Sequence, residues 1–258
     1  MTAAGALAPL LEDPRATGIF SDFDGTLSPI VEDPAAARPL AGAAEVLADL
    51  ARRFGRVGVI SGRPAGFILD QVGDVGVSIW GLHGLETVAD GKVVPVPEAE
   101  PWLDVVERAA EEAERTLGPD VGVERKSVSL TLHFRRAPGE GPAVREWAER
   151  TVEATGLVVH DARMSYELRP PVVHGKGVVL ERAAEGLTAA CFVGDDLGDA
   201  DAFDALDRLA AKGFRAVRVG VRSEEAPPQL LERADLVLDG PEEVLEALRS
   251  LVEDAPPS

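Results

Sequence analysis

The chain shows two different patterns of apolar and polar residues. The first pattern is found in its amino-terminal and carboxyl-terminal parts. There, short and uniformly apolar runs alternate with amphipathic segments of helical period, as in a domain whose strands are buried on both faces. The predicted strands are 17–22, 56–60, 75–80, 189–193, 214–221 and 236–238, with a hairpin of 86–88 and 92–94 around Asp90-Gly91. The predicted helices are 42–54, one with Pro64 at its first position, one after Lys176, 201–211 and 241–252. This order of elements predicts a Rossmann-like α/β core with a parallel sheet.

The second pattern occupies the middle of the chain. Strict alternation of apolar and polar residues at 127–135 and 164–169 predicts strands with one apolar and one polar face. The other predicted elements here are helices at 101–117 and 141–154 and a strand at 157–160. A stiff linker, Val94-Pro95-Val96-Pro97, precedes them. The pattern therefore predicts a core of 1–97 and 172–258, interrupted by a smaller α+β domain at 98–171, with loose ends at 1–12 and 253–258.

The most informative segment, Asp22-Phe23-Asp24-Gly25-Thr26, follows the first predicted strand. Two carboxylates this close resist ionising together unless a cation neutralises them, which indicates a hard metal with oxygen ligands. One carboxylate can attack phosphorus while the other handles a proton, and Thr26 offers a hydroxyl and an amide to an anion. Taken alone, the pentapeptide is also compatible with an ordinary turn that closes a strand.

Three further groups of chemically active residues lie where predicted strands end or a helix begins. Ser61 follows the second strand, Lys176 opens a helix, and Asp195, Asp196 and Asp199 follow a later strand. The carboxyl ends of parallel strands share one edge of the sheet, so these side chains are expected to meet. Together they supply carboxylates for a divalent cation and cationic and hydroxyl groups for phosphate oxygens.

Composition restricts the partners of such a site. The formal net charge of −19 argues against nucleic acid, whose binders carry basic patches, and favours a monomer. We find no run of about 18 apolar residues, so we expect no membrane span. We also find no secretory signal at the amino terminus. Cys191 is the only cysteine and lies in an apolar run, which fits a core residue and a reducing cytoplasm.

In the order of these motifs the sequence resembles the haloacid dehalogenase superfamily of aspartate-nucleophile phosphatases. The resemblance implies a parallel-sheet catalytic core with an inserted α+β cap of type two. It also implies that Asp22 is the nucleophile, that Asp24 is the acid and base, and that Mg²⁺ is the cofactor. The implied Mg²⁺ ligands are Asp22, the backbone carbonyl of Asp24, and Asp195, supported by Asp196 and Asp199. The implied phosphate-binding residues are Thr26, Ser61, Gly62 and Lys176.

A finer resemblance is to the trehalose-6-phosphate phosphatase family, and it spans most of the chain. It rests on Ser61-Gly62-Arg63, Gly81-Leu82-His83-Gly84, Val123-Glu124-Arg125-Lys126, Leu130-Thr131-Leu132-His133-Phe134-Arg135, Glu167-Leu168-Arg169-Pro170 and Gly175-Lys176-Gly177. It implies that the cap recognises the sugar and determines specificity. The implied substrate-binding residues are Glu124, Lys126, Arg135 and Glu167 in the cap and Arg63 and His83 in the core. The chain departs from the family pattern at Gly198 and Ala200, where Thr and Glu are usual, and at Phe23 and Phe134, where Tyr is common.

The resemblance implies Mg²⁺-dependent hydrolysis of trehalose 6-phosphate, and association with the synthase that makes it. Two alternatives stay open. One is another capped phosphatase, acting on sucrose phosphate, a glucosyl or mannosyl phosphoglycerate, or a monosaccharide phosphate. The other is a catalytically silent regulatory module, against which the complete set of aspartates argues.

Overall fold

A computed structural model describes residues 3–223 and 226–256, and its contacts divide the chain into two compact units. The first unit joins Met1–Val94 to His174–Ser258, and the second is Pro95–Val173. The roles of the two units as catalytic core and specificity cap stay predictions.

The described strands are β1 Thr17–Ser21, β2 Arg56–Ile60, β3 Ser78–Gly81, β4 Glu86–Ala89, β5 Lys92–Pro95, β6 Gly122–Arg125, β7 Leu130–His133, β8 Val158–Ala162, β9 Ser165–Arg169, β10 Ala189–Gly194, β11 Arg215–Arg222 and β12 Leu236–Asp239. The described α-helices are α1 Ala3–Leu7, α2 Ala43–Arg53, α3 Ala65–Val72, α4 Leu103–Thr116, α5 Gly141–Thr155, α6 Lys176–Ala183, α7 Ala200–Ala210, α8 Pro228–Arg233 and α9 Gly240–Asp254. Among the described residues, we find no helix with the length and apolar character that crossing a membrane requires.

The first unit contains an eight-stranded sheet in the order β12-β11-β10-β1-β2-β3-β4-β5. The strands from β12 to β3 are parallel, and β4 pairs antiparallel with β3. Successive residues of a strand point to opposite faces, so Ile19 and Phe20 enter two different apolar clusters. Helices α2, α3 and α9 cover the face of Ile19, and α6, α7 and α8 cover the face of Phe20. The predicted α/β core with a parallel sheet is confirmed.

The prediction of loose ends is wrong for residues 3–12 and 253–256. Leu7 and Leu10 are buried in the cluster that contains Ile19, and α9 continues to Asp254, after which Ala255 is buried as well. Their apolar side chains fill the same face of the sheet, and this burial holds both segments in place. Residues 1–2 and 257–258, to which the prediction also applied, lie outside the described residues.

Smaller differences from the predicted elements have local causes. Strand β3 begins at Ser78 instead of 75, because Gly76 has a positive φ of 77° that interrupts an extended chain. Pro64 caps α3 instead of occupying its first turn. Helix α8 was not predicted, and neither was β6.

The second unit is a four-stranded antiparallel sheet in the order β6-β7-β9-β8, with an apolar cluster between the sheet and α4 and α5. Leu130 of β7 pairs with Leu168 of β9, and both are buried in that cluster. The neighbouring register positions carry polar side chains that point to the opposite face. One cross-strand row on that face consists of Glu124, Thr131, Glu167 and His160. The predicted α+β insertion is confirmed.

Candidate functional site

The aspartate motif of the first unit lies at the carboxyl end of β1, next to the end of β10. The backbone N–H of Asp22 donates to the carbonyl of Val193 at 2.9 Å, which continues the pairing of the two strands by one residue. Asp22 as a residue is 4% exposed. A carboxylate is therefore held at the edge of the sheet and kept out of bulk water.

Lys176 connects this carboxylate to the third aspartate motif. Its ammonium lies 2.8 Å from Asp22 Oδ2 and 2.6 Å from Asp199 Oδ1, and its residue is 3% exposed. Burial lowers the pKa of Lys176, but the carboxylates of Asp22 and Asp199 outweigh burial and raise it, so the group stays charged. Burial raises the pKa of Asp22 to about 6, although Lys176 acts in the opposite direction.

A reciprocal capping arrangement fixes the loop after β10. Asp199 Oδ2 accepts the backbone N–H groups of Asp195 at 2.8 Å and Asp196 at 3.0 Å, and Asp196 Oδ1 accepts that of Asp199 at 3.1 Å. With the contact from Lys176, both oxygens of Asp199 are already engaged. A side chain at Gly194 would collide with the Asp199 carboxylate, so glycine is required for this packing.

Asp195 completes a cluster of three carboxylates that suits a divalent cation. One oxygen each of Asp22, Asp195 and Asp199 lies within 4.8 Å of the others. Burial raises the pKa of Asp195 to about 6, and the carboxylates of Asp199 and Asp196 act in the same direction, while Ser223 and Lys176 act against it. Three carboxylates beside one ammonium leave the cluster short of positive charge. A hard divalent cation binds carboxylate oxygens and supplies that charge. Asp22 and Asp195 are the better ligands, since donors already occupy the oxygens of Asp199.

The carboxylate of Asp24 pairs with Arg63 and is not one of the three that form the cluster. The guanidinium donates from Nε to Asp24 Oδ2 and from Nη2 to Asp24 Oδ1, both at 2.6 Å. Arg63 also donates to the carbonyl of Pro34 and lies over the ring of Phe67 at 4.4 Å from its centroid. A planar guanidinium held on three sides fixes the Asp24 carboxylate in one orientation.

This pairing gives a first testable prediction. The sequence resemblance implies that Asp24 is the acid and base of a phosphatase. On that expectation, replacing Arg63 with alanine should lower kcat for phosphate release by about 10- to 100-fold, because displacement of such a group costs that much rate. Lysine at 63 should restore only part of the loss, since an ammonium cannot form the bidentate pair. The measurement is steady-state kinetics beside Arg52→Ala, an exposed arginine that pairs with Asp49 on α2. Equal kcat in Arg63→Ala and the control would show that the pairing plays no part in turnover.

The Ser61 loop and the His83 loop are joined to the start of α6. Ser61 Oγ accepts the N–H of Arg63 at 3.2 Å, and the carbonyl of Ser61 accepts the N–H of His83 at 2.9 Å. The carbonyl of His83 in turn accepts the N–H of Gly175, which precedes Lys176. His83 has a positive φ of 55°, and its ring lies so close to Gly62 that a Cβ there would be 2.8 Å away. Two of the four predicted motif segments, those of Ser61 and Lys176, are thus fixed relative to one another through the His83 loop.

An open cleft of about 180 Å³ lies beside these groups. It is lined by Asp24, Ile30, Val31, Pro34, Arg63, Asp195 and Asp196. Ile30 and Val31 are 44% and 39% exposed, an unusual exposure for large apolar side chains. They were not predicted as site residues, because nothing in the local sequence distinguishes them from core residues.

In the second unit, three of the four predicted sugar-binding residues lie on the polar face of the sheet. Glu167 accepts hydrogen bonds from Ser129 Oγ at 2.9 Å and Lys126 Nζ at 3.3 Å, and Glu124 contacts His133 Nε2 at 2.8 Å. Burial raises the pKa of Glu167, but Lys126 and Ser129 outweigh burial and lower it.

Arg135 lies beyond the end of β7. Strand β7 ends at His133 instead of 135, and Arg135 is exposed in the turn that follows, where the N–H of Ala137 donates to the carbonyl of Phe134.

Sequence reasoning missed one polar residue that contacts the carboxylate cluster. Ser223 follows β11, and its hydroxyl donates to Asp195 Oδ2 at 2.8 Å. Its position at the end of the strand next to β10 was the only signal available.

The chain is similar in sequence to known phosphatases. A family model described as trehalose-phosphatase matches residues 20–232. The chain is 39% identical over 206 residues to a trehalose-phosphate phosphatase of Mycolicibacterium paratuberculosis, a match that covers 74% of this chain and 52% of that protein. The chain thus spans about half the length of the curated relatives it matches.

Solved structures show the same fold. The trehalose-6-phosphate phosphatase of Aspergillus fumigatus superimposes with a TM-score of 0.70 at 27% identity, covering 99% of this chain and 98% of that one. A phosphatase of the haloalkanoate (HAD) superfamily from Bacteroides thetaiotaomicron superimposes with a TM-score of 0.52 at 16% identity, covering 92% and 94%. The HAD-type fold with an inserted domain is confirmed.

Proposed function

The chain belongs to the trehalose-phosphatase family, and on that premise we propose that it hydrolyses trehalose 6-phosphate to trehalose and inorganic phosphate. The observation that carries the proposal is the contact of Lys176 with Asp22 inside a cluster of buried carboxylates at the carboxyl edge of the sheet. A nucleophile fixed by an ammonium group suits attack on a phosphate monoester.

The reaction proceeds in two displacements. An oxygen of Asp22 forms a bond to phosphorus while the bond from phosphorus to the sugar oxygen breaks, and Asp24 gives that oxygen a proton. Asp24 then takes a proton from the water that attacks the aspartyl-phosphate, which restores Asp22 and releases phosphate. Thr26, Ser61 and the N–H of Gly62 donate to the phosphate oxygens, and Lys176 orients Asp22.

We propose Mg²⁺ as the cation of this site, and Asp22, Asp195 and the backbone carbonyl of Asp24 would hold it. When bound, it compensates the charge of the phosphate and the carboxylates. Asp196 and Asp199 hold the loop that carries Asp195, which the hydrogen bonds of their carboxylates to backbone N–H groups support.

Sugar recognition is assigned to Glu124, Lys126, Arg135 and Glu167 in the second unit and to Arg63 and His83 in the first. Carboxylate and ammonium groups form hydrogen bonds with the hydroxyls of a disaccharide. They discriminate against ligands that lack those hydroxyls. Gly198 and Ala200 bring no polar side chain to the loop, so the proposed reaction assigns no role to these two positions. We further propose that the protein acts in the cytoplasm, where a thiol such as Cys191 stays reduced. Association with a synthase and a monomeric state stay predictions.

Phosphate release with Mg²⁺ from a panel of substrates tests the proposal. The panel contains trehalose 6-phosphate, sucrose 6-phosphate, glucose 6-phosphate and a glucosyl phosphoglycerate. We expect kcat/KM for trehalose 6-phosphate to exceed the others by at least about 100-fold, a ratio that hydroxyl pairing can supply. Preference for another substrate of the panel would be compatible with the phosphatase mechanism but would refute trehalose 6-phosphate as the substrate. No release from any member would favour a silent regulatory module.

Glu167 provides the matching mutational prediction. Glu167→Gln should lower kcat/KM for trehalose 6-phosphate by about 10- to 100-fold, because a hydrogen bond to a charged group contributes about 1.5–3 kcal/mol. Turnover of a small aryl phosphate should stay within about twofold of the wild-type value, since that substrate has no sugar hydroxyls to lose. Glu153→Gln, an exposed change on α5, serves as the control. Equal losses on both substrates would assign Glu167 a structural role.

A further inference from the structure

Ser223 brings one more strand end to the carboxylate cluster. Strand β11 runs parallel to β10 with Gly220 opposite Gly194, and it continues to Arg222 where β10 has already ended. This extension carries Ser223 to the level of the loop after β10. Its hydroxyl donates to Asp195 Oδ2 at 2.8 Å.

The Asp195 carboxylate is enclosed on three sides. Thr26 Oγ1 contacts its Oδ1 at 3.4 Å, Ser223 contacts its Oδ2, and Gly25 packs against the group so closely that a Cβ there would collide with it. Gly25 also has a positive φ of 68°, a backbone conformation that residues with a side chain rarely adopt. The shorter of the two hydroxyl contacts is the one from Ser223, so it contributes more to the direction in which the carboxylate points.

The hydroxyl of Ser223 orients Asp195 and leaves it free to bind a cation. A serine hydroxyl donates one proton and occupies one of the two acceptor positions on Oδ2. The remaining acceptor positions of the carboxylate stay available to a cation. Hydrogen-bond partners of this kind, one step removed from the ion, set the direction of metal-binding carboxylates.

We propose that Ser223 is a positioning residue that sets the Asp195 carboxylate for the divalent cation of this site. The inference rests on the proposed function, because the cation is the one that the phosphatase reaction requires. It extends the site to the end of β11, which none of the aspartate, serine or lysine motifs includes.

The test is calorimetric titration of Mg²⁺ into the substrate-free protein. We expect Ser223→Ala to bind Mg²⁺ about 10-fold more weakly than the wild type, as loss of such a partner costs 10- to 100-fold in metal affinity. Ser223→Thr keeps the hydroxyl and should bind within about twofold of the wild type. Ser250→Ala removes a hydroxyl from exposed α9, where it contacts only backbone within the described hydrogen bonds, and should change nothing. Thermal unfolding in EDTA checks that all variants are folded.

Each outcome is informative. Wild-type affinity in Ser223→Ala, or a loss in Ser223→Thr as large as in Ser223→Ala, would overturn the role of Ser223. Absence of Mg²⁺ binding by the wild type would overturn the proposed function instead. A second measurement, the Mg²⁺ concentration that gives half-maximal phosphate release, should rise in Ser223→Ala by the same factor while kcat at saturating Mg²⁺ changes less.

Discussion

Replacing Asp22 with asparagine is expected to lower kcat for phosphate release by at least about 10⁴-fold, because removal of a nucleophile that acts with its partners has effects of that size. An amide has nearly the same shape but does not attack phosphorus. It leaves Lys176 in contact with Asp199, so the protein should stay folded. Steady-state phosphate release measures the effect, and circular dichroism checks the fold.

The matched control is Asp239→Asn. Asp239 also ends a strand of the same sheet, β12, but its side chain is 67% exposed and pairs with Arg222. Its replacement should leave kcat unchanged. If Asp22→Asn retained more than about 1% of wild-type kcat, with Asp22→Ala equally active to exclude deamidation, the nucleophile would have to be another group.

Replacing Lys176 with alanine should have the largest effect on stability. Lys176 is the ammonium that contacts both Asp22 and Asp199, and Asp199 is fully buried. Removing one partner of a buried charge pair leaves the other charge uncompensated and costs about 3–5 kcal/mol. We therefore expect the free energy of unfolding, measured with denaturant in EDTA, to fall by about that amount, with phosphate release lost as well.

A divalent cation should reverse part of this loss. Because Mg²⁺ neutralises carboxylates of the same cluster, the difference in stability between Lys176→Ala and the wild type should shrink at millimolar Mg²⁺. Lys212→Ala, an exposed lysine after α7, should show neither effect. A stability loss in Lys176→Ala that stayed the same with and without Mg²⁺ would indicate that the cluster is not a cation site.

The parts of the site that could be predicted from sequence are those that follow from topology. A buried run such as Thr17–Ser21 identifies a parallel strand, and the residues directly after such strands meet at one edge of the sheet. The meeting of Asp22, Asp195 and Lys176 is a consequence of that rule. Their positions after predicted strands, or at the start of a predicted helix, were enough to predict that they meet.

Contacts that depend on side-chain direction could not be predicted. Asp24 and Arg63 are separated by 39 residues, and Asp195 and Ser223 by 28. Their pairing depends on which way each side chain turns at the sheet edge, and no local pattern encodes that direction.

Elements held mainly by strand pairing, or by burial against residues distant in sequence, were also not predicted. Strand β6 has one large apolar side chain, Val123, and it is held by its hydrogen bonds to β7. The amino-terminal segment is too short to show a helical period, yet Leu10 is completely buried. In the second sheet, Ser129 and Thr131 were predicted to be on an open polar face but are buried, since Ser129 contacts Glu167 and Thr131 lies between Glu124 and Glu167.

Rapid-quench labelling tests directly whether the phosphoryl group passes through Asp22. An aryl phosphate carrying labelled phosphorus is mixed with the wild-type protein and Mg²⁺, and the reaction is stopped in acid within the first turnover. A good leaving group makes the first displacement fast, so that the aspartyl-phosphate accumulates. We expect about one equivalent of protein-bound label in the peptide that contains Asp22, and none in Asp22→Asn. Label in a different peptide, or phosphate release with no protein-bound label at any quench time, would contradict it.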